Sequence, residues 1–337
     1  MRNGTLIFDC VVHMHNLEEN NVRVPYGPGA MSHLYRMGRN LQPPGTPWEY
    51  RQFAHRWTVE ELGSMLFEKS EIDMAVSQTV PLFDYWEDGL SSVERNHALA
   101  EAYPDRVIFV GGCDPVFQGV DGALRTVTHQ ITEMGARSIK FYNAHSAGRS
   151  WRCDNRTLAY PLYERMLELG CNIAQFHKGN PIGLEPMEDL QPYDLQRVAL
   201  DFPDLNIIIH HLGVPWVDET IAIAARFPNI HLAMSTWVNN IAVSPWSVAE
   251  RVGKLMFYVG AERIIWGSET PLWLDPQLLL EMSWDLQIPE ELQEKFGYPE
   301  ITDSDRNLVF GGNMCRLLGI DPEAKKKELG LIASDAG

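Results

Sequence analysis

The amino-acid sequence predicts a (β/α)8 barrel, an α/β fold in which eight parallel strands close into a sheet with helices outside. Short apolar runs recur along the chain, and the segments between them carry helical periodicity and end at Gly or Pro. Strands that alternate with helices favour a parallel sheet, and eight repeats favour closure over an open, doubly wound sheet. The eight runs are TLIFDCVV, DMAVSQTVP, RVIFVGGCDP, ARSIKFYNA, CNIAQFH, LNIIIHHLG, NIHLAMS and RIIWGSETP.

The barrel is expected to form one domain over residues 1–320. Residues 17–57 interrupt the alternation directly after the first strand, and residues 272–300 form a second excursion after the eighth. Residues 321–337 are charged at first and are expected to be a C-terminal helix and tail. The predicted fold is therefore a barrel with an insertion after strand one and a C-terminal helical extension.

The insertion at residues 17–57 is rich in Pro, Gly, Tyr, Trp and Arg. A segment that follows a barrel strand overhangs the C-terminal face, where the active sites of such barrels lie. Long loops in compact domains are usually functional, so we interpret this one as a lid. We expect Tyr26, Tyr35 or Trp57 to come close to the site.

Composition limits the classes of partner. The 337 residues are 45% hydrophobic, which is ample for a large core, and the formal net charge is −17. Such acidity disfavours nucleic acid and anionic membrane surfaces as partners. The five cysteines are scattered and form no disulfide framework, and no apolar leader is apparent, so a cytoplasmic location is expected. We expect a small-molecule substrate and a homo-oligomer, or a hetero-oligomer with a related subunit.

Two histidines close the first predicted strand in the segment FDCVVHMHN. His13 and His15 are separated by one residue, so on a strand both side chains point to the same side. Two neutral imidazoles that face one point suit a divalent metal ion, although an isolated pair also occurs in ordinary loops. The remaining ligands must come from elsewhere in the chain.

Other polar side chains follow the ends of later predicted strands. Because all strands of a parallel barrel end at the same face, these side chains should gather with the histidine pair. They are Lys140 and His145 at the fourth strand, His177 at the fifth, His210 and His211 at the sixth, and Glu269 at the eighth. This set predicts a metal centre at the C-terminal face.

Three further segments complete a pattern. PDLNIIIHHLG is an apolar run that ends in His-x-Gly with His211 at the histidine position, ERIIWGSETP is similar to Gly-Ser/Thr-Asp followed by Pro, and GGNMCRLLGI is similar to Asn-x-x-Arg-Leu. Together with the earlier histidines, they resemble the amidohydrolase superfamily. Within it the chain is most similar to the branch that includes aminocarboxymuconate-semialdehyde decarboxylase and related hydrolases and lactonases, and the resemblance covers nearly the whole chain.

This resemblance implies an enzyme in which His13, His15 and His177 hold one divalent ion, usually zinc or manganese. His211 would be the catalytic acid/base, and Glu269 would complete the metal site and share in catalysis. The chemistry is coherent, because a metal lowers the pKa of a bound water and a nearby histidine and carboxylate can shuttle its proton.

Glu269 departs from the family pattern, which has Asp at this position. The extra methylene changes the reach of the carboxylate by more than about 1 Å, and metal sites tolerate little displacement. Either the backbone compensates, or the carboxylate has another role, such as bridging two metal ions.

Surplus polar side chains could serve a second metal ion or the substrate, and these are Lys140, His145, His210 and Lys178. Strand alternation predicts that His210 points away from His211 into the helix layer. Lys140 lies where some two-metal relatives carry a carboxylated lysine, although one-metal relatives also carry lysine there. Lys178, Arg149 and Arg152 could anchor a substrate carboxylate.

The leading functional hypothesis is a metal-dependent hydrolase or decarboxylase that acts on a small carboxylated or cyclic organic substrate. The alternative is a non-haem dinuclear oxygenase (Fe/Fe or Mn/Fe), in which Glu269 would bridge ions about 3.5–4 Å apart. A subunit that keeps a metal only for structure is disfavoured by the acid/base histidine beside the metal set.

Overall fold

The computed structural model describes residues 1–43, 48–146 and 148–333. One parallel sheet holds eight strands in sequence order. They are β1 (Phe8–Val12), β2 (Met74–Gln78), β3 (Val107–Gly112), β4 (Ile139–Phe141), β5 (Ile173–His177), β6 (Asn206–His210), β7 (Ile230–Ala233) and β8 (Ile264–Ile265). The end of β8 returns to β1, where the amide of His13 donates to the carbonyl of Thr270 at 2.9 Å. The predicted barrel is confirmed, and every strand lies within its predicted apolar run.

Helices surround the sheet and extend from its ends. They are α1 (Gly27–Leu41), α2 (Tyr50–Phe53), α3 (Val59–Phe67), α4 (Val93–Ala102), α5 (Pro115–Gln118), α6 (Val120–Thr132), α7 (Tyr160–Glu168), α8 (Leu195–Asp201), α9 (Val217–Ala224), α10 (Pro245–Tyr258), α11 (Pro276–Trp284), α12 (Glu290–Phe296), α13 (Asp303–Asn307), α14 (Asn313–Leu318) and α15 (Pro322–Glu328). The buried residues of α6 show the common pattern, because Ala123, Val127 and Gln130 recur at helical spacing. Gln130 also bonds both backbone groups of Gly112 in β3.

The barrel interior changes character along the strands. Its lower part is apolar and is closed from below by α14; it includes Phe8, Cys10, Met74, Val76, Val110, Ile173, Ile208, Ala233 and Ile265. Above this layer lies a buried polar layer of Gln78, Lys140, Gln175 and His210. Alternation produces both layers, since Ile139 and Phe141 join the core around the barrel whereas Lys140 faces inward.

The insertion at residues 17–57 lies across the C-terminal face of the barrel. Its apolar side chains form one cluster with loops that follow β2, β5 and β8; its members include Leu17, Ala30, Met31, Leu34, Phe53, Tyr85, Trp86, Ile182, Leu272 and Trp273. His33 Nε2 donates to the Pro181 carbonyl at 2.9 Å, and Gln42 Nε2 donates to the Trp273 carbonyl at 2.5 Å. Residues 44–47 of the insertion lie outside the described residues. We call α1, as it crosses the barrel mouth, the roof.

Gly38 allows the roof to approach the loop after β8. A Cβ atom at this position would lie 3.0 Å from the Trp273 ring and 3.2 Å from the Leu272 carbonyl. The roof and this loop are therefore in contact at the backbone level, which closes the barrel mouth.

The excursion at 272–300 begins at the barrel mouth with Leu272 and Trp273 and then forms α11 and α12. The C-terminal extension forms α15, where Lys325 donates to the Asp105 carbonyl. Residues 334–337 are outside the described part. All five cysteines are free and buried. Among the described residues, no helix combines the length and apolarity needed to span a membrane.

Candidate metal centre

Five of the predicted side chains line one pocket at the C-terminal face of the barrel. The ends of β1, β5, β6 and β8 supply them, and they are His13, His15, His177, His211 and Glu269. All five are buried, and the most exposed of them, Glu269, is 7% exposed. Side chains far apart in the sequence thus meet where parallel strands end together, as the sequence predicts.

A tautomer is fixed at His13. Its Nδ1 lies 2.9 Å from the backbone carbonyl of Gln78, which accepts only, so Nδ1 carries the proton. Its Nε2 therefore presents a lone pair, and it lies 3.2 Å from Oε1 of Glu269. Two acceptors face each other at this distance, which requires a proton or a cation between them. A carbonyl that orients the second ring nitrogen is also the usual support of a metal-bound histidine.

His15 and Glu269 carry polar atoms without hydrogen-bond partners. Both ring nitrogens of His15 and Oε2 of Glu269 are buried and unpaired. The rings of His13 and His15 are stacked, with centroids 4.8 Å apart. Burial holds the pKa of His15 well below its usual value, so the ring is neutral and its lone pair is free for a cation. Although burial alone would raise it, His211 and His13 hold the pKa of Glu269 well below its usual value.

His177 and His211 form a hydrogen-bonded chain. His211 Nε2 lies 3.0 Å from His177 Nδ1, His211 Nδ1 lies 3.1 Å from the Ser235 carbonyl, and His177 Nε2 lies 3.1 Å from the Asn180 carbonyl. His211 Nδ1 also lies 3.2 Å from Oγ of Ser235, whose hydroxyl can donate to it. Burial lowers the pKa of His211 to about 4 and that of His177 well below its usual value. Burial therefore favours the neutral form of both rings, and their hydrogen bonds hold the two side chains side by side.

The backbone around the pocket is strained. Asn180, His211, Thr236 and Glu269 all have positive φ, from 45° to 64°, and all four line the pocket. Residues other than glycine rarely adopt this region, and such strain of about 1–3 kcal/mol each concentrates at functional sites. At Glu269 the left-handed backbone directs the side chain into the pocket, where it approaches His13.

No three His, Cys, Asp or Glu side chains within the described ranges already converge as ligands of one ion. Contacts within the pocket instead join His13 to Glu269 and His177 to His211. The donor set still fits a divalent ion, because the free nitrogens of His15, the lone pair of His13 and the unpaired oxygen of Glu269 are the ligand types that zinc and manganese accept.

His210 corrects one expectation. Its Nε2 lies 2.7 Å from Oε1 of Gln175, so the side chain points into the barrel and not into the helix layer. Alternation holds as far as His210, where β6 ends, and the left-handed backbone of His211 then turns the next side chain inward as well. His210 therefore lies in the polar layer beneath the pocket, and it is not among the side chains that line it.

Lys140 lies in the same layer beneath the pocket. Its Nζ is 3.4 Å from Oε1 of Gln78, and burial lowers its pKa well below the usual value. The side chain does not line the pocket in which the histidines meet.

His145 is held away from the pocket by two carboxylates. Its Nε2 lies 2.5 Å from Asp114 and its Nδ1 lies 3.3 Å from Asp84, and all three side chains are buried. Asp84 also accepts from the amide of Ser146, and Asp114 caps α5. These contacts join the loops that follow β2, β3 and β4, which gives His145 a structural role there.

Removing His145 should destabilise the fold in a pH-dependent way. Although burial alone would lower it, Asp114 and Asp84 raise the pKa of His145 to about 9. A raised folded-state pKa stabilises fully below the unfolded value of about 6.5, and this contribution is lost as the pH rises through about 9. We expect His145→Ala to lower the free energy of unfolding by about 3–5 kcal/mol at pH 6, with the deficit shrinking towards pH 10. Urea unfolding of His145→Ala, with exposed His129→Ala as control, checks this; a pH-independent deficit contradicts it.

The three predicted carboxylate anchors lie elsewhere. Lys178 is buried and forms an ion pair with Asp194 at 2.9 Å. Arg149 and Arg152 are exposed; the first lies over the ring of Phe117 and the second pairs with Asp154. None of the three is among the residues that line the pocket of His13 and Glu269, so their predicted role as substrate anchors gains no support from this pocket.

The walls of the pocket are mainly apolar. Seven apolar side chains line it, namely Leu34, Met37, Val80, Leu90, Ile182, Leu272 and Trp273. The roof contributes Leu34 and Met37, in place of the expected Tyr26 or Tyr35. Trp57 reaches the site through its backbone amide, which donates to the His15 carbonyl at 3.1 Å. The roof and the loop after β8 thus leave only a narrow cavity above the histidines.

Sequence reasoning missed several residues of this site. Tyr142 follows β4 directly, as the predicted histidines follow their strands, so the same signal could have found it; its ring stacks on His177 with centroids 4.7 Å apart. Asn180 and Thr236 lie in loops without such a signal. Buried Asp9 accepts from the amide and hydroxyl of Ser268, which fixes the end of β8 beside β1 and so positions Glu269.

Comparisons with known proteins agree with this geometry. The family model described as amidohydrolase matches residues 67–320. No curated protein matches the chain. A solved structure of an uncharacterized TIM-barrel protein from Bordetella bronchiseptica is 22% identical, with 93% of this chain and 98% of that chain covered and a TM-score of 0.67.

Two solved decarboxylases share the fold. The 5-carboxyvanillate decarboxylase from Sphingomonas paucimobilis is 15% identical, with coverage of 94% and 100% and a TM-score of 0.60. The dihydroxybenzoic acid decarboxylase from Polaromonas sp. JS666, which holds manganese and the inhibitor 2-nitroresorcinol, is 14% identical, with coverage of 94% and 97% and a TM-score of 0.59.

Proposed function

Because this chain belongs to the amidohydrolase family, we propose that it is a metal-dependent decarboxylase that acts on a small aromatic carboxylate. Family membership agrees with the expected hydrolase or decarboxylase and gives no support to the oxygenase alternative. The solved decarboxylases of the same fold support the choice of reaction.

The proposed metal ligands are His13, His15, His177 and Glu269. Zinc and manganese are the expected ions, since imidazole and carboxylate suit both. A bound divalent ion would supply Lewis acidity to the substrate carboxylate. For His177 to serve as a ligand, one of its contacts with His211 and the Asn180 carbonyl must be exchanged for the ion.

The observation that carries the proposal is a hydrogen-bonded histidine pair that lines one pocket with Glu269 and apolar side chains. A carboxylate loses its hydration in such a site, which favours the loss of neutral CO2. As the carbon–carbon bond breaks, its electron pair returns to the ring carbon, which must gain a proton. His211 is the proposed donor, because its ring lines the pocket at 3.0 Å from His177 and 3.8 Å from Glu269.

The test uses manganese-loaded enzyme and 2,6-dihydroxybenzoate. We expect one CO2 and one 1,3-dihydroxybenzene per substrate consumed, and a rate about a hundredfold lower in His211→Asn, because general acid catalysis contributes at least this much. Coupled CO2 detection and chromatography measure both products, with His129→Asn as the control. Hydrolysis of aryl esters or lactones without CO2 release from any aromatic acid would contradict the proposal.

A further inference from the structure

The pocket contains no basic side chain that faces its roof. Among the described residues that line it, none is Lys or Arg, and the undescribed residues 44–47, 147 and 334–337 include neither type. Lys140 lies beneath the histidines, and Arg95 donates to the carbonyls of Met14, His15 and Trp57. A negative charge on a substrate can therefore be neutralised only at the floor of the pocket, by a metal ion bound to the proposed ligands.

Neutral groups supply the other polar contacts. Tyr142, Asn180 and Thr236 line the side of the pocket, and each can hydrogen-bond to a hydroxyl or carbonyl group. Leu34, Met37 and Trp273 close it from above. A second carboxylate on the substrate, if it faced the roof, would therefore be buried against these apolar side chains without a counter-charge.

From this arrangement, and resting on the proposed function, we infer that the enzyme selects aromatic acids with a single carboxylate and rejects dicarboxylates. Leu34, Met37 and Trp273 are the specificity-determining residues. The selectivity arises because the roof carries no positively charged side chain. One substrate carboxylate reaches the floor, and substrate hydroxyl groups face Tyr142 and its neighbours. The rest of the substrate ring must be uncharged. An unpaired buried carboxylate should weaken binding by about a hundredfold or more.

The test compares two acids that differ by one carboxylate, 2-hydroxybenzoate and 4-hydroxybenzene-1,3-dicarboxylate. Their dissociation constants are measured on manganese-loaded enzyme by calorimetry, without turnover. We expect the dicarboxylate to bind about a hundredfold more weakly. Equal or tighter binding of the dicarboxylate overturns the inference.

A roof variant makes the test specific to the residues named. In Met37→Arg a guanidinium enters the roof, and we expect the ratio of the two dissociation constants to fall by about tenfold or more, because a buried carboxylate then gains a charged partner. Met37→Leu keeps the roof uncharged and should retain the wild-type ratio. An unchanged ratio in Met37→Arg, with its folding confirmed by thermal unfolding, overturns the role of the roof.

The inference and the proposed function fail in different ways. CO2 release from dicarboxylates as fast as from monocarboxylates would leave the decarboxylase proposal intact and overturn only the selectivity. Failure to bind either acid, together with no CO2 release, would overturn both.

Discussion

Replacing both His13 and His15 with alanine is expected to remove the bound metal and abolish turnover while the barrel stays folded. The Gln78 carbonyl orients His13 so that Nε2 faces Glu269, and His15 has two buried nitrogens without partners, so both rings can supply a ligand nitrogen. A catalytic metal contributes several kcal/mol to the transition state, so a loss of about ten-thousandfold in activity is expected. Elemental analysis of protein dialysed against manganese measures the metal directly.

The barrel should stay folded in this variant, with a free energy of unfolding lower than that of the wild type. The substitution removes the unpaired nitrogens of His15, but it also leaves the Gln78 carbonyl and the buried Glu269 without their contacts to His13. A variant with His129→Ala and His97→Ala, both outside the pocket, serves as the control and should keep its metal. Full metal occupancy in the His13→Ala/His15→Ala variant would show that these histidines are not ligands.

The fold was predictable because its signal is repeated. Each strand is a short apolar run, and eight such runs recur with helices between them. Ambiguity between helix and strand at any one run therefore does not change the predicted fold. The gathering of His13, His177 and Glu269 followed from the same pattern, since parallel strands end at one face. Tyr142 shares that position after β4, but an aromatic residue at a strand end is common in any core.

Details beyond the strand ends were not predictable from alternation. Periodicity places side chains on strands, whereas His211, Thr236 and Glu269 have left-handed backbone that only the surrounding loops impose. His145 shows a second limit of sequence-based prediction. Its partners Asp84 and Asp114 come from two other loops, so the strand pattern does not place them beside a histidine. Long-range pairings of this kind leave no local trace in the sequence.

The interpretation of Glu269 depends on both the sequence and the structure. Sequence similarity placed a carboxylate here with one methylene more than the family pattern, and the structure shows its backbone at φ +64° with Oε1 at 3.2 Å from His13. The contact with His13 thus depends on this backbone together with the length of the side chain. An aspartate would not reproduce it, because its carboxylate would withdraw by more than about 1 Å from an unchanged backbone.

We therefore expect Glu269→Asp to lower metal affinity by about 10–100-fold and turnover by a similar factor, since metal sites tolerate little displacement. Its stability should not fall, because aspartate tolerates left-handed backbone better than glutamate. Glu269→Gln keeps the length but removes the charge, and it should lose about a thousandfold in activity, because both the metal ligand and the partner of His211 are weakened. Metal titration, turnover and urea unfolding of the two variants distinguish the effect of side-chain length from the effect of side-chain charge. Unchanged metal affinity and turnover in Glu269→Asp would show that the added methylene has no function, whereas loss of one of two bound ions would instead indicate that Glu269 bridges a metal pair.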